Sequence, residues 1–331
     1  MRSIVGKFLT YALLLSALPV VAQSRPRPSP SAEPRLEWLD LSGDWEIGIH
    51  ALYYSPFACE FDYATSSATE GGPVATVRCQ LDWGFRVYAR TLVECNLASI
   101  SYQWFGNKEK RRVEGLETVR NLFGIPAERA IATVRIEYQN ADFRFGQFLH
   151  RTPRCDFYLF GNARWIDLLL SHNTRAITAT PLGFSANEKA RLEGGAIGMG
   201  GGAEFAIGCN FGLFGDLNLL GVIAKRSTWR VYGPNSAVTT VNNDTEVRYD
   251  SEICMNPEVD AKIGINYTYD CDCISFVGEL GYEIDYFWNP FAFPRGSIAG
   301  GTGNPDRFVN RFRTCEDAGF SGLFFGAHIF F

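Results

Sequence analysis

Eight charged residues sit between apolar residues that recur at every second position, and this pattern has the clearest chemical consequence in the sequence. They are Arg86, Arg90, Arg135, Glu137, Lys262, Glu279, Glu283 and Asp285. Because side chains alternate between the two faces of an extended strand, all eight lie opposite an apolar face. On a soluble protein such a face is solvated surface, whereas inside a closed barrel charges of both signs create a transverse electric field. The fold of the chain therefore decides whether these charges are solvated surface or line a pore.

Catalytic and ligand-binding motifs are weak by comparison. Ser171-His172-Asn173 has the residue types that an outer-membrane phospholipase would use, but adjacent side chains point in different directions. The glycines within 198–202 lack the flanking buried strand and helix of a nucleotide-binding loop, so we expect them in a curved strand. Four histidines, at 50, 150, 172 and 328, are scattered without a pair at metal-ligand spacing. We therefore predict no enzyme, no cofactor and no metal site.

Nine cysteines, at 59, 79, 95, 155, 209, 254, 271, 273 and 315, are an odd number. In an oxidising compartment they favour disulfides, with one thiol left free or paired with another chain. The candidate disulfide cysteines are Cys59, Cys79, Cys254, Cys271, Cys273 and Cys315. Cys271-Asp272-Cys273 is expected at a hairpin tip between two strands. Zinc is the weaker alternative there, because the spacing is too tight and no histidine is near.

The first residues predict export. Arg2 and Lys7 precede an apolar stretch from Phe8 to Leu18, and Val20-Val21-Ala22 resembles a cleavage site, so residues 1–22 read as a cleaved signal peptide. An uncleaved anchor is the alternative, but the stretch is shorter than the roughly 20 residues of a spanning helix. Residues 23–40 begin with a Pro-rich run that predicts a flexible periplasmic tail.

Residues 41–331 are expected to form the folded domain, and alternation predicts strands through it. Trp45, Ile47 and Ile49 alternate with polar residues, and similar runs return along the chain. These strands are about 10 residues long, which suits a tilted membrane crossing. The 26 Phe, 14 Tyr and 7 Trp exceed what soluble cores commonly need. No other segment of about 18 apolar residues is present, so the sequence predicts no membrane-spanning helix in this domain. The pattern predicts an all-β fold: a transmembrane antiparallel up-and-down β-barrel of about 12 strands, in a range of about 10–14.

Polar segments between the predicted strands are expected to be long outer loops. They cover 56–79, 106–128, 171–193, 234–256 and 289–317, and residues 108–122 are expected to form a short helix in one of them. Aromatic residues cluster near strand ends, which is typical of the girdles at membrane interfaces.

The last predicted strand places Leu323, Phe325, Ala327, Ile329 and Phe331 at every second position. An apolar strand with a terminal aromatic residue matches what bacterial barrel-assembly machinery recognises. We interpret Phe331, Ile329 and Phe325 as this assembly signal. It predicts the bacterial outer membrane as the location, with lipid and the assembly machinery as partners.

A barrel would make the eight charged residues pore-lining. We therefore expect a porin-like protein that lets small hydrophilic solutes and ions diffuse passively. A narrow interior locked by its charges is the alternative arrangement, and a structural or adhesive envelope protein without an open pore, joined to other proteins by disulfides, is the alternative function. A formal charge of −5 gives no support to nucleic-acid binding. The oligomeric state stays open.

Several short segments resemble one family. They are Gly43-Asp44-Trp45-Glu46-Ile47-Gly48 through Leu52-Tyr53-Tyr54, Leu81-Asp82-Trp83-Gly84-Phe85-Arg86, Tyr158-Leu159-Phe160-Gly161-Asn162-Ala163-Arg164-Trp165, the glycine-rich stretch 194–203 and Leu280-Gly281-Tyr282-Glu283-Ile284. They look like the Legionella-type major outer-membrane protein family, also expanded in Chlamydia-related bacteria, and the resemblance spans most of 41–331. It implies a pore-forming barrel and, for cysteine-rich members, disulfide cross-linking in the envelope. It supplies no catalytic residues.

Overall fold

The computed structural model describes residues 44–57, 61–65, 74–77, 79–93, 95–121, 126–152, 154–177, 183–208, 210–235, 245–271, 274–298 and 308–331. These residues form β1 (Asp44–Pro56), β2 (Phe61–Thr65), β3 (Val74–Val77), β4 (Asp82–Val93), β5 (Asn96–Asn121), β6 (Pro126–Arg151), β7 (Cys155–Ile177), β8 (Gly183–Gly208), β9 (Phe211–Asn235), β10 (Thr245–Cys271), β11 (Ile274–Ile298) and β12 (Phe308–Phe330). The predicted signal peptide and Pro-rich tail, residues 1–40, lie outside the described residues. Within the described ranges, no helix is long and apolar enough to cross a membrane.

Ten of these strands form a closed antiparallel ring. Its order is β1, β4, β5, β6, β7, β8, β9, β10, β11 and β12, and β12 pairs again with β1. The short strands β2 and β3 pair with each other, and β2 also pairs with the far end of β5. The predicted all-β, antiparallel, up-and-down arrangement is confirmed. The ring has ten strands, where about 12 were expected.

One end of the ring, here called the turn end, has short connections. They are residues 94–95, 152–154, 209–210 and 272–273. Gly208, next to one of them, has φ of 122°, a conformation that glycine adopts without steric cost. Trp45 and Phe331 exchange two backbone hydrogen bonds of 3.0 Å at this end, so the last strand is joined to the first up to its final residue. We call the opposite end the loop end.

The strands are much longer than expected. Eight ring strands, β5 to β12, contain 23 to 27 residues each, whereas a membrane crossing needs about 9–11. Large parts of the predicted loops are therefore strand. The predicted helix at 108–122 is wrong, because residues up to Asn121 continue β5, and residues 108–114 pair with β6 in continuous register. Charged alternation such as Lys108, Lys110 and Arg112 is compatible with a strand that has water on its outer side.

Among the described side chains, the outer face is mainly apolar in the part of the ring near the turn end. Its exposed apolar side chains form a belt that includes Ile47, Ile49, Phe85, Ile100, Phe143, Phe145, Leu159, Ile197, Leu217, Ile265, Leu280 and Phe325. On β5 the belt ends at Trp104 and on β7 at Trp165, and beyond these residues the outward side chains include charged ones such as Lys108 and Asp167. Residues near the loop end therefore have water on the outside.

The inner face changes in the opposite sense. Towards the turn end it carries polar side chains such as Asp142 and Glu283, and towards the loop end it carries an apolar cluster. This cluster contains Leu52, Tyr54, Phe105, Val134, Ile136, Tyr138, Ile166, Leu168, Leu192, Phe287 and Phe320. The period of two continues from one section into the other, apart from register shifts such as that between Phe287 and Phe291, and the residue types exchange faces. The ring thus has a membrane-protein section and a section with an apolar core.

Candidate functional site in the interior of the ring

Arg164 is the centre of a buried ion-pair network. It lies on the inner face of β7, and its Nε donates to Asp142 Oδ1 at 3.1 Å on β6. Its Nη2 donates to Asp260 Oδ2 at 2.8 Å, and its Nη1 donates to Glu258, both on β10 three strands away. Arg144 adds a second cation, with its Nε 2.8 Å from Asp142 Oδ2. Since four carboxylates including Asp285 surround two guanidinium groups, side chains bridge the interior from wall to wall.

A second network joins β4 to β11. Arg86 Nη1 donates to Glu283 Oε2 at 2.9 Å, and Arg86 Nε donates to Gln103 at 3.0 Å. The Tyr54 hydroxyl donates to the same carboxylate at 2.8 Å. Glu283 is therefore held by two strands other than its own, which fixes it on the inner wall.

A third network lies closer to the turn end. Glu279 Oε2 forms an ion pair with Lys262 Nζ at 3.5 Å and lies 3.0 Å from His50 Nε2. Nearby, Glu46 pairs with Arg90. The Lys262 ammonium also lies over the rings of Phe214 and Phe324, at 4.8 and 4.6 Å. The Lys262 ammonium is thus stabilised by a carboxylate and by two aromatic rings.

The structure places six of the eight predicted site residues on the inner face. These are Arg86, Arg90, Lys262, Glu279, Glu283 and Asp285. Arg135 and Glu137 are the exceptions, since both point outward and the Arg135 side chain is 55% exposed. Their expected inward orientation is wrong. This part of β6 lies in the loop-end section, where its apolar neighbours Val134 and Ile136 form the inner core.

An aromatic layer crosses the interior next to the networks. Tyr138 on β6 lies opposite β11, five strands away in the ring of ten. Its hydroxyl donates to Asp285 at 2.8 Å across the interior. Its ring stacks on Phe320 with 4.8 Å between centroids and contacts Phe287 at 5.7 Å. Rings from facing walls therefore touch across the interior at this level.

Glycines on the inner wall let large rings lie against it. An added Cβ at Gly264 would come within 2.6 Å of the Phe214 ring, and one at Gly48 would come within 2.7 Å of the Tyr88 hydroxyl. Close approach of side chains therefore requires these glycines. The predicted strand placement of the 198–202 glycines is also seen, because all lie in β8.

Two asparagines of the inner wall lack protein partners. Asn162 and Asn218 are 6% and 1% exposed. Among the described residues, neither the amide nitrogen nor the oxygen of either side chain has a hydrogen-bond partner. Asn218 lies beside Asp260 in the register of β9 and β10. Such groups normally find a partner in water or a solute.

Sequence reasoning missed Arg164, Asp142 and Glu258. A signal was present for the first, because Asn162 and Arg164 alternate with Ala163 and Trp165. Its partners could not be found in this way. Glu258 is 94 positions away in the chain, and the pairing arises only from ring closure.

The remaining candidates are separated by the fold. His172 is buried on the inner face of β7, whereas Ser171 and Asn173 point outward, so the three residues do not assemble into a triad. In the described ranges no group of three or more His, Cys, Asp or Glu residues could hold a metal ion.

Five cysteines have described side chains, and none of these five forms a disulfide. Cys79, Cys95, Cys155 and Cys271 are present as free thiols, and the Cys254 thiol donates to the Ala224 carbonyl at 3.5 Å. Cys271 ends β10, so the expected hairpin tip is found, while Cys59 and Cys273 lie outside the described residues. Burial, with a smaller contribution from Glu109, raises the pKa of the Cys79 thiol to about 12. At neutral pH it stays protonated and reacts slowly.

A closed antiparallel ring with an apolar outer belt and charged residues inside is the architecture of outer-membrane β-barrels. Residues 40–331 match the family described as Legionella pneumophila major outer membrane protein precursor. The chain belongs to this family and is an outer-membrane protein, which confirms the family and the location expected from the sequence.

The solved structures that match the chain are distant in sequence. The outer membrane protease OmpT from Escherichia coli is 9% identical, with a TM-score of 0.43, and the match covers 89% of this chain and 99% of that one. The toluene transporter TodX of Pseudomonas putida is 8% identical, with a TM-score of 0.31 and coverage of 87% and 89%. A Pseudomonas aeruginosa FadL homologue is 7% identical, with a TM-score of 0.26 and coverage of 88% and 90%. No curated protein sequence matches the chain.

Proposed function

We propose that the protein is a porin-like transmembrane channel for passive diffusion of small hydrophilic solutes and ions, and that its described state is closed. The contrast between the two faces of the ring carries this proposal. Outside, a belt of apolar side chains suits lipid, and inside, Arg86, Lys262 and Glu279 line the same section. Ionised groups are costly to bury away from water, so this inner wall favours an aqueous path.

The unpartnered asparagines support a hydrated interior. Each buried polar group without a partner costs about 1–3 kcal/mol. Asn162 and Asn218 together have four such atoms beside the charged networks. Water molecules or a permeating solute would satisfy them.

Closure follows from the size of the ring. About 8 strands leave an interior that side chains just fill, whereas porins of about 16–18 strands enclose an open channel. Ten strands lie near the lower limit, so a few large side chains suffice to block the path. We propose that Tyr138, Phe287 and Phe320 are this block and that conduction requires their displacement.

A structural role in the envelope, without conduction, is the second candidate. The observation that favours it is the number of contacts between facing walls, such as Arg164 with Glu258 and Tyr138 with Asp285. Together they make the interior a solid core. On this reading, loops and cysteines would carry the interactions with other envelope proteins.

Uptake of sugars by proteoliposomes separates the two candidates. Full-length protein is refolded into vesicles, and swelling is followed by light scattering in isosmotic solutions of sugars of increasing size. The channel proposal expects swelling rates above those of protein-free vesicles, falling as the sugar grows. Swelling no faster than that of empty vesicles, from protein shown to be folded, would reject it. Disulfide-linked oligomers on non-reducing gels of whole envelopes would then favour the structural role.

A further inference from the structure

Basic side chains form a row on the outer face just beyond the apolar belt. The register pairs Lys108 of β5 with Arg135 of β6, Arg135 with Ser171 of β7, and Ser171 with Lys189 of β8. Three cations thus share one row across four strands. Lys110 lies on the same face of β5, two residues farther from the belt. We call Lys108, Lys110, Arg135 and Lys189 the basic row.

The row lies at the level expected for lipid headgroups. Trp104 is the last outward aromatic residue on β5, and Lys108 is the second outward residue beyond it. Trp165 occupies the equivalent place on β7. Tryptophans at the edge of an apolar belt mark the boundary between hydrocarbon and headgroups. Cations at one or two positions beyond that boundary are therefore within reach of headgroup phosphates.

Neighbouring carboxylates leave most of this charge uncompensated. Arg135 pairs with Glu137, and the nearby Arg191 pairs with Asp167 through two hydrogen bonds of 2.8 Å. By contrast, no carboxylate of the described residues lies within ion-pair distance of Lys108, Lys110 or Lys189, and all three are exposed. The Lys189 ammonium lies over the Trp229 ring, 5.4 Å from its centroid, which leaves its charge without a carboxylate partner among the described residues.

The like charges face each other at a cost. Lys108 and Arg135 are directly opposite in the register, and such like-charged pairs destabilise a sheet. An anion between the two cations would remove the repulsion. The same reasoning applies along the row, where an extended ligand with two phosphates could contact both β5 and β8.

We propose that the basic row binds the phosphate groups of a phosphorylated glycolipid in the outer leaflet. In bacterial outer-membrane barrels the short turns face the periplasm, so the loop end and the row face outward. The belt below provides the surface for the acyl chains, and the row provides the counter-charge for the headgroup. This site is independent of conduction, because its side chains lie on the outer wall.

Native mass spectrometry of full-length protein in a neutral detergent tests this assignment. The wild type is titrated with bisphosphorylated lipid A, with lipid A from which both phosphates have been removed, and with inorganic phosphate as competitor. The variants are K108Q/K110Q, K108R/K110R, and R154Q as a control at the turn end, where Arg154 is exposed. Gel mobility without heating shows that each variant is folded.

We expect binding of bisphosphorylated lipid A to weaken about 30-fold in K108Q/K110Q, which corresponds to about 1 kcal/mol for each lysine. K108R/K110R and R154Q should bind as the wild type does, and removal of the phosphates should abolish the difference. Equal affinity of K108Q/K110Q and wild type would overturn the site. Equal binding of both lipid forms, or complete displacement by equimolar inorganic phosphate, would overturn the glycolipid assignment.

Discussion

Replacing Arg164 by methionine should destabilise the folded protein strongly, because three buried carboxylates pair with this cation and Glu258 pairs with it alone. The Arg164 side chain is 3% exposed, and its partners Asp142, Glu258 and Asp260 are buried as well. Methionine keeps most of the apolar volume and removes the charge. Removing one partner of a buried ion pair costs about 3–5 kcal/mol, since the charge left behind stays desolvated and unpaired, as Glu258 would be in this variant.

Arg191 provides a matched control on the outer face. It also forms a two-bond pair with a carboxylate, Asp167, at distances of 2.8 Å, but its side chain is 46% exposed. Water replaces a lost partner there, so we expect R191M to cost about 0–1 kcal/mol. The two variants make the same chemical change and differ in burial.

The free energy of unfolding is measured by urea titration in detergent micelles, followed by tryptophan fluorescence, with gel mobility as the test of a folded ring. The R164M/E258Q double variant removes the carboxylate charge that pairs with Arg164 alone and should recover part of the loss. Equal losses for R164M and R191M, or a loss below about 1 kcal/mol for R164M, would refute the account of the interior as a coupled ionic core.

Two further predictions concern the wall of the ring. Gly264→Ala should lower the free energy of unfolding by about 1–3 kcal/mol, because the new Cβ would lie 2.6 Å from the Phe214 ring. Gly278→Ala should be close to neutral, because a Cβ there would have nothing within 4 Å. Urea midpoints compare the two variants, and equal midpoints would contradict the packing described. In intact cells an R135C variant should react with a membrane-impermeant maleimide above the wild-type background, because the Arg135 side chain is exposed on the outer face. V134C should not react, since residue 134 faces the core. Labelling of V134C alone would reverse the assignment of faces.

Alternation of side chains predicted the strands because it is a local property of extended backbone. Trp83, Phe85 and Val87 all lie on the outer face, and Arg86 lies between them on the inner face, as expected from the period of two. The hairpin at Cys271 was predicted for the same reason, since a short polar tip separates two alternating runs.

The exchange of faces was not predictable by the same rule. Assigning the apolar face to lipid is correct for Phe143 and Phe145 but fails for Val134 and Ile136 in the same strand. The rule holds only where lipid lies outside, and the sequence contains no local mark for the membrane boundary apart from Trp104 and similar residues. Pairs such as Arg164 with Glu258 were hidden as well, because closure of the ring brings them together.

Recording from planar bilayers tests the central claim, that a polar path is closed by the aromatic layer. Wild type is compared with Y138A/F320A, which removes the stacked pair, and with F143A, in which an outward aromatic of the same strand is removed. We expect rare openings for wild type and F143A, and frequent stepwise openings for Y138A/F320A. A wild type that is permanently open, or a folded Y138A/F320A that is as silent as a bare bilayer, would contradict the claim.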